Sequence, residues 1–185
     1  LNLTGIIKTK LIIRESNFIE KTISSSKIKL LLLIYYKFFY KKIDIVIASS
    51  KTIYKDIYKF TNISKKKIYI LYNPIEKVFF KKSLSKIRKN KRKKLNFLSI
   101  GRLTKQKNFN KMIKILSKYR DYEWNLKIIG DGKQKNYLNN TIKILKLNNK
   151  IKIIPINNKI YDEIVKSDYY LNSSKWEGMP NAVIE

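Results

Sequence analysis

Two carboxylates near the end of the chain have a spacing suited to accepting hydrogen bonds from the hydroxyls of a sugar. Glu177 and Glu185 bracket a Gly-Met-Pro-Asn turn, with seven residues between them. Pro180 suits the first turn of a helix, whose free N–H groups around Met179 and Asn181 would favour an anion. Asn181 and Glu185 are four residues apart and would share one helix face. The alternative is structural, because a glutamate early in a helix also complements the helix dipole.

Two further polar loops directly follow predicted strands. The stretch "GRLTKQKN" (101–108) combines Gly101, which permits a close turn, with Arg102 and Lys107, two cations that suit a diphosphate. The stretch "GDG" (130–132) is a second tight turn. Each has a plainer explanation: a basic loop in a basic protein, and a strand-to-helix turn without a ligand. Open α/β sheets bind ligands at the carboxyl ends of strands, so these loops are candidates for one site.

The composition restricts the chemistry that this chain can perform. It contains no cysteine and no histidine, which excludes disulfides, thiolate nucleophiles and imidazole bases among its 185 residues. Lys and Arg number 42 against 13 Asp and Glu, a formal charge of +29. Such a charge attracts nucleic acid, acidic lipid or phosphorylated substrates. The alternative is the coding bias of an A/T-rich genome, because Lys, Ile, Asn and Tyr are all plentiful and the charge is spread along the chain.

Short β-branched runs alternate with helical stretches, which predicts an α/β fold built from parallel βαβ units. Helices are expected from a serine cap at 24–26 to about Lys42, after a cap near Ser50, and over 159–166. Strands are expected at 10–14, 43–49, 67–73, 95–101, 126–130, 151–155 and 168–172. Two apolar stripes predict two more helices, one with Met112, Ile113, Leu116 and Tyr119, the other with Tyr137, Leu138, Ile142 and Leu145.

The helix before Lys42 is apolar on most faces, so it is expected to be deeply buried or to lie partly on a membrane. Its run Leu30–Tyr36 falls far short of the ~20 residues that a transmembrane helix requires. No signal-peptide pattern opens the chain, which predicts a soluble or peripheral protein. The start at Leu1 and the end inside a motif predict a fragment.

The run "GRLTKQKN … IIGDG … SDYYLNSSKWEGMPNAVIE" resembles the donor-binding half of the retaining GT-B glycosyltransferases of family four. The pair of glutamates separated by seven residues is the signature of that family, and the Gly-Arg-Leu…Lys-Asn loop is a second match. Earlier segments also resemble the family: "IIRESN" (12–17), "YKKIDIVIASS" (40–50) and "ILYNPIE" (70–76). The resemblance implies two Rossmann-like parallel-sheet domains, both incomplete: the acceptor-side domain over 1–76 and the donor-binding domain over 95–185, with a basic linker over 77–94.

The resemblance also implies roles for individual residues. Arg102 and Lys107 would bind the donor diphosphate and offset the charge of the leaving group, Glu177 would contact the donor sugar, and Glu185 would hold the ribose hydroxyls. Gly101, Gly178, Met179 and Asn181 complete the donor-binding set. Arg14, Glu15 and Asn17 stand where many members have a histidine near the transferred sugar, so they are candidates on the acceptor side. Retaining transfer in this family needs neither a metal nor another cofactor.

The expected function is therefore transfer of a hexose or N-acetylhexosamine from a nucleotide sugar, UDP-linked, in the synthesis of surface polysaccharides or glycoconjugates. The expected acceptor is a glycan or a polyprenyl-diphosphate-linked glycan. The expected location is the cytoplasm, peripheral on the anionic inner face of the cytoplasmic membrane, with no nucleic-acid partner. The alternatives are a basic nucleic-acid-binding domain and an inactive remnant of a glycosyltransferase.

Overall fold

The computed structural model describes residues 9–74, 94–156 and 160–184. The chain divides into two compact units, the first formed by residues 1–74 with 177–180 and the second by residues 75–176 with 181–185. Each unit contains a parallel sheet whose strands are connected through helices, so the predicted α/β fold is confirmed. Of the basic linker predicted over 77–94, only Lys94 lies among the described residues.

The first unit is a three-stranded parallel sheet in the order β1-β2-β3. Its strands are β1 (Ile12–Glu15), β2 (Ile45–Ala48) and β3 (Ile68–Ile70). Its helices are α1 (Ile19–Ser25), α2 (Lys29–Phe39), which continues into a 3-10 turn (Tyr40–Lys42), and α3 (Lys51–Phe60). Ile12 is opposite Ile45, and Val46 is opposite Ile68, so the central strand is β2.

The core of the first unit forms where the central strand meets α3. Val46 and Ala48 of β2 are fully buried, as are Ile53 and Ile57, which lie one turn apart on α3. The predicted cap near Ser50 is confirmed, because the Ser50 hydroxyl accepts a hydrogen bond from the N–H of Ile53 at 3.2 Å. This cap fixes where the chain turns from β2 into α3.

The predicted serine cap at 24–26 is wrong. Ser24 and Ser25 form the last turn of α1, a helix that the sequence pattern did not predict. Ser26 lies between the helices, where its hydroxyl accepts from the N–H of Ile28 at 3.1 Å. The alternative of deep burial for the apolar helix is also wrong, since no residue of α2 itself is buried.

The second unit is a four-stranded parallel sheet in the order β6-β5-β4-β7. Its strands are β4 (Leu95–Ile100), β5 (Trp124–Ile129), β6 (Ile151–Ile154) and β7 (Tyr169–Tyr170). Its helices are α4 (Phe109–Leu116), α5 (Lys135–Ile144), α6 (Ile160–Lys166) and α7 (Asn181–Ile184). The four strands share one direction, so their carboxyl ends lie at one edge of the sheet.

The core of the second unit confirms most of the two predicted stripes. Among the stripe residues, Met112, Ile113, Leu138 and Ile142 are buried. Tyr119 and Tyr137, the two tyrosines of these stripes, lie at the surface, with exposed fractions of 52% and 50%. α4 ends at Leu116, and a 3-10 turn then carries Tyr119 off the helical stripe. Tyr137 lies near the start of α5, and Thr141, one turn later, is buried and donates its hydroxyl to the carbonyl of Tyr137 at 3.0 Å.

None of the described helices combines the length and the apolar content that crossing a bilayer requires.

Candidate active site

The loop after β4 is held to the loop after β5 by main-chain hydrogen bonds. Gly101 donates to the carbonyl of the last residue of β5 at 2.9 Å, and Leu103 donates to the carbonyl of Asp131 at 2.8 Å. The Leu103 carbonyl accepts from Gln134 at 3.0 Å, and the Leu103 side chain is fully buried. Because Leu103 is fixed by its backbone and its side chain, the exposed Arg102 beside it projects from a fixed backbone.

Lys107 lies across the end of β4. A Cβ atom placed on Gly101 would be 2.9 Å from Cε of Lys107, so a glycine at 101 leaves room for the lysine stem against the main chain. Asn108 then turns the chain into α4 with a φ of 55°, a left-handed conformation that asparagine adopts more readily than most residues. The loop therefore folds back and brings the amine of Lys107 to the carboxyl end of the strand.

The loop after β7 packs against this cationic loop through three hydrogen bonds. The Ser173 hydroxyl donates to the carbonyl of Lys107 at 2.7 Å. The N–H of Lys175 donates to the carbonyl of Gln106 at 2.8 Å, and the Gln106 amide donates to the carbonyl of Trp176 at 2.9 Å. The structure thus brings together, at one edge of the sheet, the loops after β4, β5 and β7 that were separate candidates in the sequence.

The charge of these loops is positive. The carboxylate of Asp131, the acid of the "GDG" turn, accepts from the N–H of Gly132 at 2.7 Å and from the amine of Lys135 at 3.3 Å. The hydrogen bond from Gly132 and the neighbouring Lys135 lower the pKa of Asp131, so its negative charge is compensated within its own turn. A cavity of about 660 Å³ adjoins these loops, and its cationic lining residues are Lys105, Lys133 and Lys175.

In the first unit, the turn at 177–180 meets the residues that follow β1 and β3. A Cβ atom on Gly178 would lie 2.3 Å from the carbonyl oxygen of Ser16, so the close approach of the two backbones requires glycine here. The N–H of Asn73 donates to the sulfur of Met179 at 3.2 Å, and the Arg14 guanidinium donates to the Asn73 side-chain oxygen. The acceptor-side candidate Arg14 and the donor-binding candidates Gly178 and Met179 therefore belong to one cluster.

Glu15 is a half-buried carboxyl group at the carboxyl end of β1. It accepts a hydrogen bond from the hydroxyl of Tyr40, and together they line a cleft of about 340 Å³. Burial raises the pKa of Glu15, the Tyr40 hydrogen bond opposes that rise, and the nearby Asp56 adds to it. The surroundings of Glu15 therefore disfavour the charged form of its carboxyl group.

The remaining predicted site residues are placed as follows. Asn17 is exposed in the loop between β1 and α1, and Glu177 is half-buried. Asn181 is exposed and is the first residue of α7, so that helix begins one residue later than predicted, directly after Pro180. Glu185 lies outside the described residues, so its place on one helix face with Asn181 stays a prediction.

Four residues that hold these loops received no role from the sequence. Leu103, Gln106 and Ser173 join the loops of the second unit, and Asn73 joins Arg14 to Met179 in the first. Leu103 did carry a signal, since it is the only strongly apolar side chain in a loop of polar residues. Gln106 and Ser173 carried none, because their partners lie about 70 residues away along the chain.

The sequence profile described as "Glycosyl transferases group 1" matches residues 80–185. The chain belongs to this family. The stretch matched contains the loops after β4, β5 and β7, which are the loops that the structure joins at the carboxyl edge of the second sheet.

Curated relatives of this group 1 glycosyltransferase chain agree with the assignment. It is 32% identical over 162 residues to an uncharacterized glycosyltransferase of Methanocaldococcus jannaschii, covering 84% of this chain and 40% of that protein. It is 31% identical over 147 residues to N-acetylgalactosamine-N,N'-diacetylbacillosaminyl-diphospho-undecaprenol 4-alpha-N-acetylgalactosaminyltransferase of Campylobacter jejuni, covering 79% of this chain and 39% of that protein. The chain therefore spans about two fifths of the length of these relatives.

Solved structures identify the fold of this group 1 chain as GT-B. HepE of Anabaena, solved in complex with UDP and glucose, matches with a TM-score of 0.75 at 14% identity, over 96% of this chain and 50% of that one. WaaG, described as a glycosyltransferase involved in lipopolysaccharide biosynthesis, matches with a TM-score of 0.71 at 11% identity, over 99% of this chain and 58% of that one. At these identities the likeness concerns the fold alone.

Proposed function

We propose that the protein transfers a hexose or an N-acetylhexosamine from a UDP-sugar, with retention, to a glycan or to a lipid-linked glycan. The observation that carries this proposal is the junction of the cationic loop after β4 with the loops after β5 and β7. A parallel sheet binds its ligands at this edge, and a cationic loop there suits a ligand with phosphates.

In this proposal, the second unit binds the donor through its diphosphate. Arg102 and Lys107 neutralise the β-phosphate as it leaves with the bonding electrons of the bond to the sugar, which is where negative charge develops. The fixed backbone around Leu103 and the packing of Lys107 over Gly101 support this role, because charges that are already positioned need not reorganise during the reaction. The structure of HepE with UDP and glucose supports UDP as the nucleotide.

The remaining donor contacts are assigned to the turn around residue 180. Glu177 contacts the sugar, Glu185 holds the ribose hydroxyls, and the backbone of Gly178, Met179 and Asn181 approaches the phosphates. The acceptor oxygen bonds to the anomeric carbon on the face from which the diphosphate leaves, and the acceptor proton passes to the departing phosphate. No covalent nucleophile takes part, and no metal is assigned a step.

The proposed acceptor is a sugar carried on a polyprenyl diphosphate, in the synthesis of a surface polysaccharide or glycoconjugate. The Campylobacter jejuni relative supports this class, since its name describes a diphospho-undecaprenol-linked acceptor. Arg14, Glu15 and Asn17 are the acceptor-side candidates, and the cluster of Arg14 with Asn73 and Met179 supports a built site there. For a UDP-sugar donor and a lipid-linked acceptor, the proposed location is the cytoplasm, at the inner face of the membrane.

Calorimetric titration of the full-length protein with three ligands tests the donor assignment: UDP, inorganic pyrophosphate and uridine. Lys107→Ala removes a charge-assisted hydrogen bond and should weaken UDP and pyrophosphate about tenfold, while uridine binding stays unchanged. Glu185→Ala should weaken UDP and uridine but leave pyrophosphate unchanged. Lys118→Ala, an exposed lysine of the same unit outside these loops, is the control and should change none of the three.

Two results would overturn the assignment. Equal affinity for UDP in the native protein, Lys107→Ala and Glu185→Ala would contradict the proposed donor site. A transfer product whose new linkage has the anomeric configuration opposite to that of the donor, measured by proton NMR, would replace retention by inversion.

A further inference from the structure

The outward face of α2 is apolar where a surface helix is normally polar. Leu31, Ile34, Tyr35 and Phe38 follow the spacing i, i+3, i+4, i+7, which places them on one face of the helix. Their exposed fractions are 63%, 45%, 47% and 64%. A contiguous stripe of four large apolar side chains at this exposure indicates an interaction surface rather than scattered surface apolar residues.

The opposite face of α2 fixes the orientation of the helix. Tyr36 is partly buried against the core of the first unit, and Tyr40, in the turn that ends the helix, is buried within it. The rings of Tyr36 and Tyr40 are 5.3 Å apart, and the Tyr40 hydroxyl donates to Glu15 on β1. Because these contacts already occupy the inward face, the stripe of Leu31, Ile34, Tyr35 and Phe38 points away from the core that the structure describes.

Lysines surround this stripe, and no acid interrupts them. Residues 27–43 contain no Asp or Glu, and their cations are Lys27, Lys29, Lys37, Lys41 and Lys42. The amine of Lys41 lies 5.9 Å from the centroid of the Phe38 ring, so its stem runs along the apolar face while its charge stays at the rim. The face therefore joins an apolar centre to a cationic border.

We propose that this face of α2 binds an anionic membrane surface. The helix has 11 residues, or roughly 16 Å of length, so it would lie in the plane of the interface rather than cross it. Leu31, Ile34 and Phe38 would enter the boundary between headgroups and acyl chains, and the lysines would contact anionic headgroups. A second copy of the same face would instead bring two sets of lysines together. This inference rests on the proposed membrane location and not on the transfer reaction.

The same contacts connect the proposed membrane face to the acceptor side. Tyr40 follows directly after α2, and its hydroxyl bonds to Glu15, one residue before Ser16 and two before Asn17. The loop that carries the acceptor-side candidates is therefore attached to the helix that would lie on the membrane. This arrangement suits an acceptor whose lipid carrier stays in the bilayer.

Sedimentation of the full-length protein with vesicles tests the proposal. The vesicles are phosphatidylcholine with phosphatidylglycerol, and phosphatidylcholine alone. We expect binding to the mixed vesicles, and a loss of at least tenfold in affinity for Leu31→Ser with Phe38→Ser, because two large side chains no longer enter the bilayer. Lys37→Gln with Lys41→Gln should lower the affinity about fivefold per lysine at low salt and much less at high salt.

Matched control variants come from the second unit. Tyr122→Ser with Ile144→Ser changes two side chains that are 69% and 70% exposed, and Lys114→Gln with Lys118→Gln changes two exposed lysines with the same spacing as Lys37 and Lys41. Neither control should change vesicle binding. Binding of UDP is measured on every variant, so loss of vesicle affinity with intact UDP binding separates this inference from the donor site.

A fluorescent label distinguishes the membrane from other partners of the face. Tyr35→Cys, in a background without other cysteines, is labelled with a polarity-sensitive fluorophore. We expect ready labelling of the free protein and a blue shift on mixed vesicles only. Labelling that requires unfolding would mean that another part of the chain covers the face, and a blue shift that depends on protein concentration without vesicles would mean a second copy. Either result, or equal binding by Leu31→Ser with Phe38→Ser, would overturn the proposal.

Discussion

Glu15 is a carboxyl group that folding makes harder to ionise. Burial raises its pKa from the ordinary value of 4.5, and the charge of Asp56 adds to that rise. The folded state therefore holds a proton that the unfolded state has lost in the range between the ordinary and the raised pKa. Stability consequently falls as the pH rises through this range, since the folded state then carries the uncompensated cost of a buried charge.

Glu15→Gln should abolish this dependence, because glutamine keeps an acceptor for the Tyr40 hydroxyl and does not ionise. The native protein should lose free energy of unfolding relative to Glu15→Gln as the pH rises above 4.5, and the two should converge below it. Urea unfolding across that range measures the difference. Tyr40→Phe removes the hydrogen bond that opposes the rise and should cost about 1–3 kcal/mol at neutral pH. A difference between the native protein and Glu15→Gln that grows as the pH falls would contradict a raised pKa for Glu15.

At the same scale, the sequence allowed candidates for ligand contact to be chosen, but it did not reveal the residues that hold their loops in place. Gly101, Arg102 and Lys107 could be selected because their types and their place after a strand indicate phosphate chemistry. Ser173 could not be selected, because its role depends on a hydrogen bond to the carbonyl of Lys107, which lies 66 residues away along the chain. Asn73 is similar: its contacts with Arg14 and Met179 depend on three segments meeting in space.

At the scale of elements, α1 depends on a carboxylate from another helix. Asp56 of α3 accepts from the N–H of Ile19 at 2.5 Å and from that of Glu20 at 3.4 Å, which satisfies donors in the first turn of α1. The N-cap position of α1 is occupied by Phe18, whose side chain cannot accept a hydrogen bond from the helix. A short helix with this start is stabilised by tertiary contacts rather than by its own sequence.

Asp56→Ala should therefore destabilise the protein by about 2 kcal/mol, since it leaves two helix donors without their acceptor in a buried site. Asp56→Asn keeps an oxygen acceptor and should cost less than about 1 kcal/mol. Burial raises the pKa of Asp56, so the site already disfavours the charge that the asparagine lacks. Amide hydrogen exchange at Ile19 and Glu20 should accelerate in Asp56→Ala before the rest of the first unit.

The exposed Asp121 provides the matched control, and Asp121→Ala should change the free energy of unfolding by less than about 0.5 kcal/mol. Equal effects of Asp56→Ala and Asp121→Ala would show that the contact between α3 and α1 contributes nothing. Unchanged exchange at Ile19 and Glu20 would locate any destabilisation elsewhere.

Dependence on tertiary contacts also explains which helices and strands could be predicted from the sequence. Each of the seven predicted strands is present among the described residues, within about three residues of its predicted ends, because β-branched runs such as Ile45–Ala48 are distinctive. α1 could not be predicted, since its cap comes from residue 56 and the serines at its end resemble a helix start. α2 was predicted as a helix, but its exposed face could not be, because an apolar run does not reveal what covers it.

At the scale of the whole molecule, the formal charge of +29 is a property of the chain rather than of one site. The proposed donor site would use Arg102 and Lys107, and the proposed membrane face would use the lysines around α2. Many other lysines, such as Lys114 and Lys118 on the exposed surface of the second unit, belong to neither group. Composition alone therefore predicts anionic partners, but it cannot say which of the cations would contact them.

The described residues form one hydrophobic core in each unit, and the chain should unfold in two steps. Its two tryptophans, Trp124 and Trp176, both belong to the second unit, so tryptophan fluorescence follows that unit while far-UV circular dichroism follows both. Ile113→Ala should cost about 2–5 kcal/mol and shift the fluorescence transition to lower urea. Ile57→Ala, equally buried in the first unit, should shift only the circular dichroism component. If both variants moved the fluorescence transition by the same amount, the two cores would form one cooperative unit.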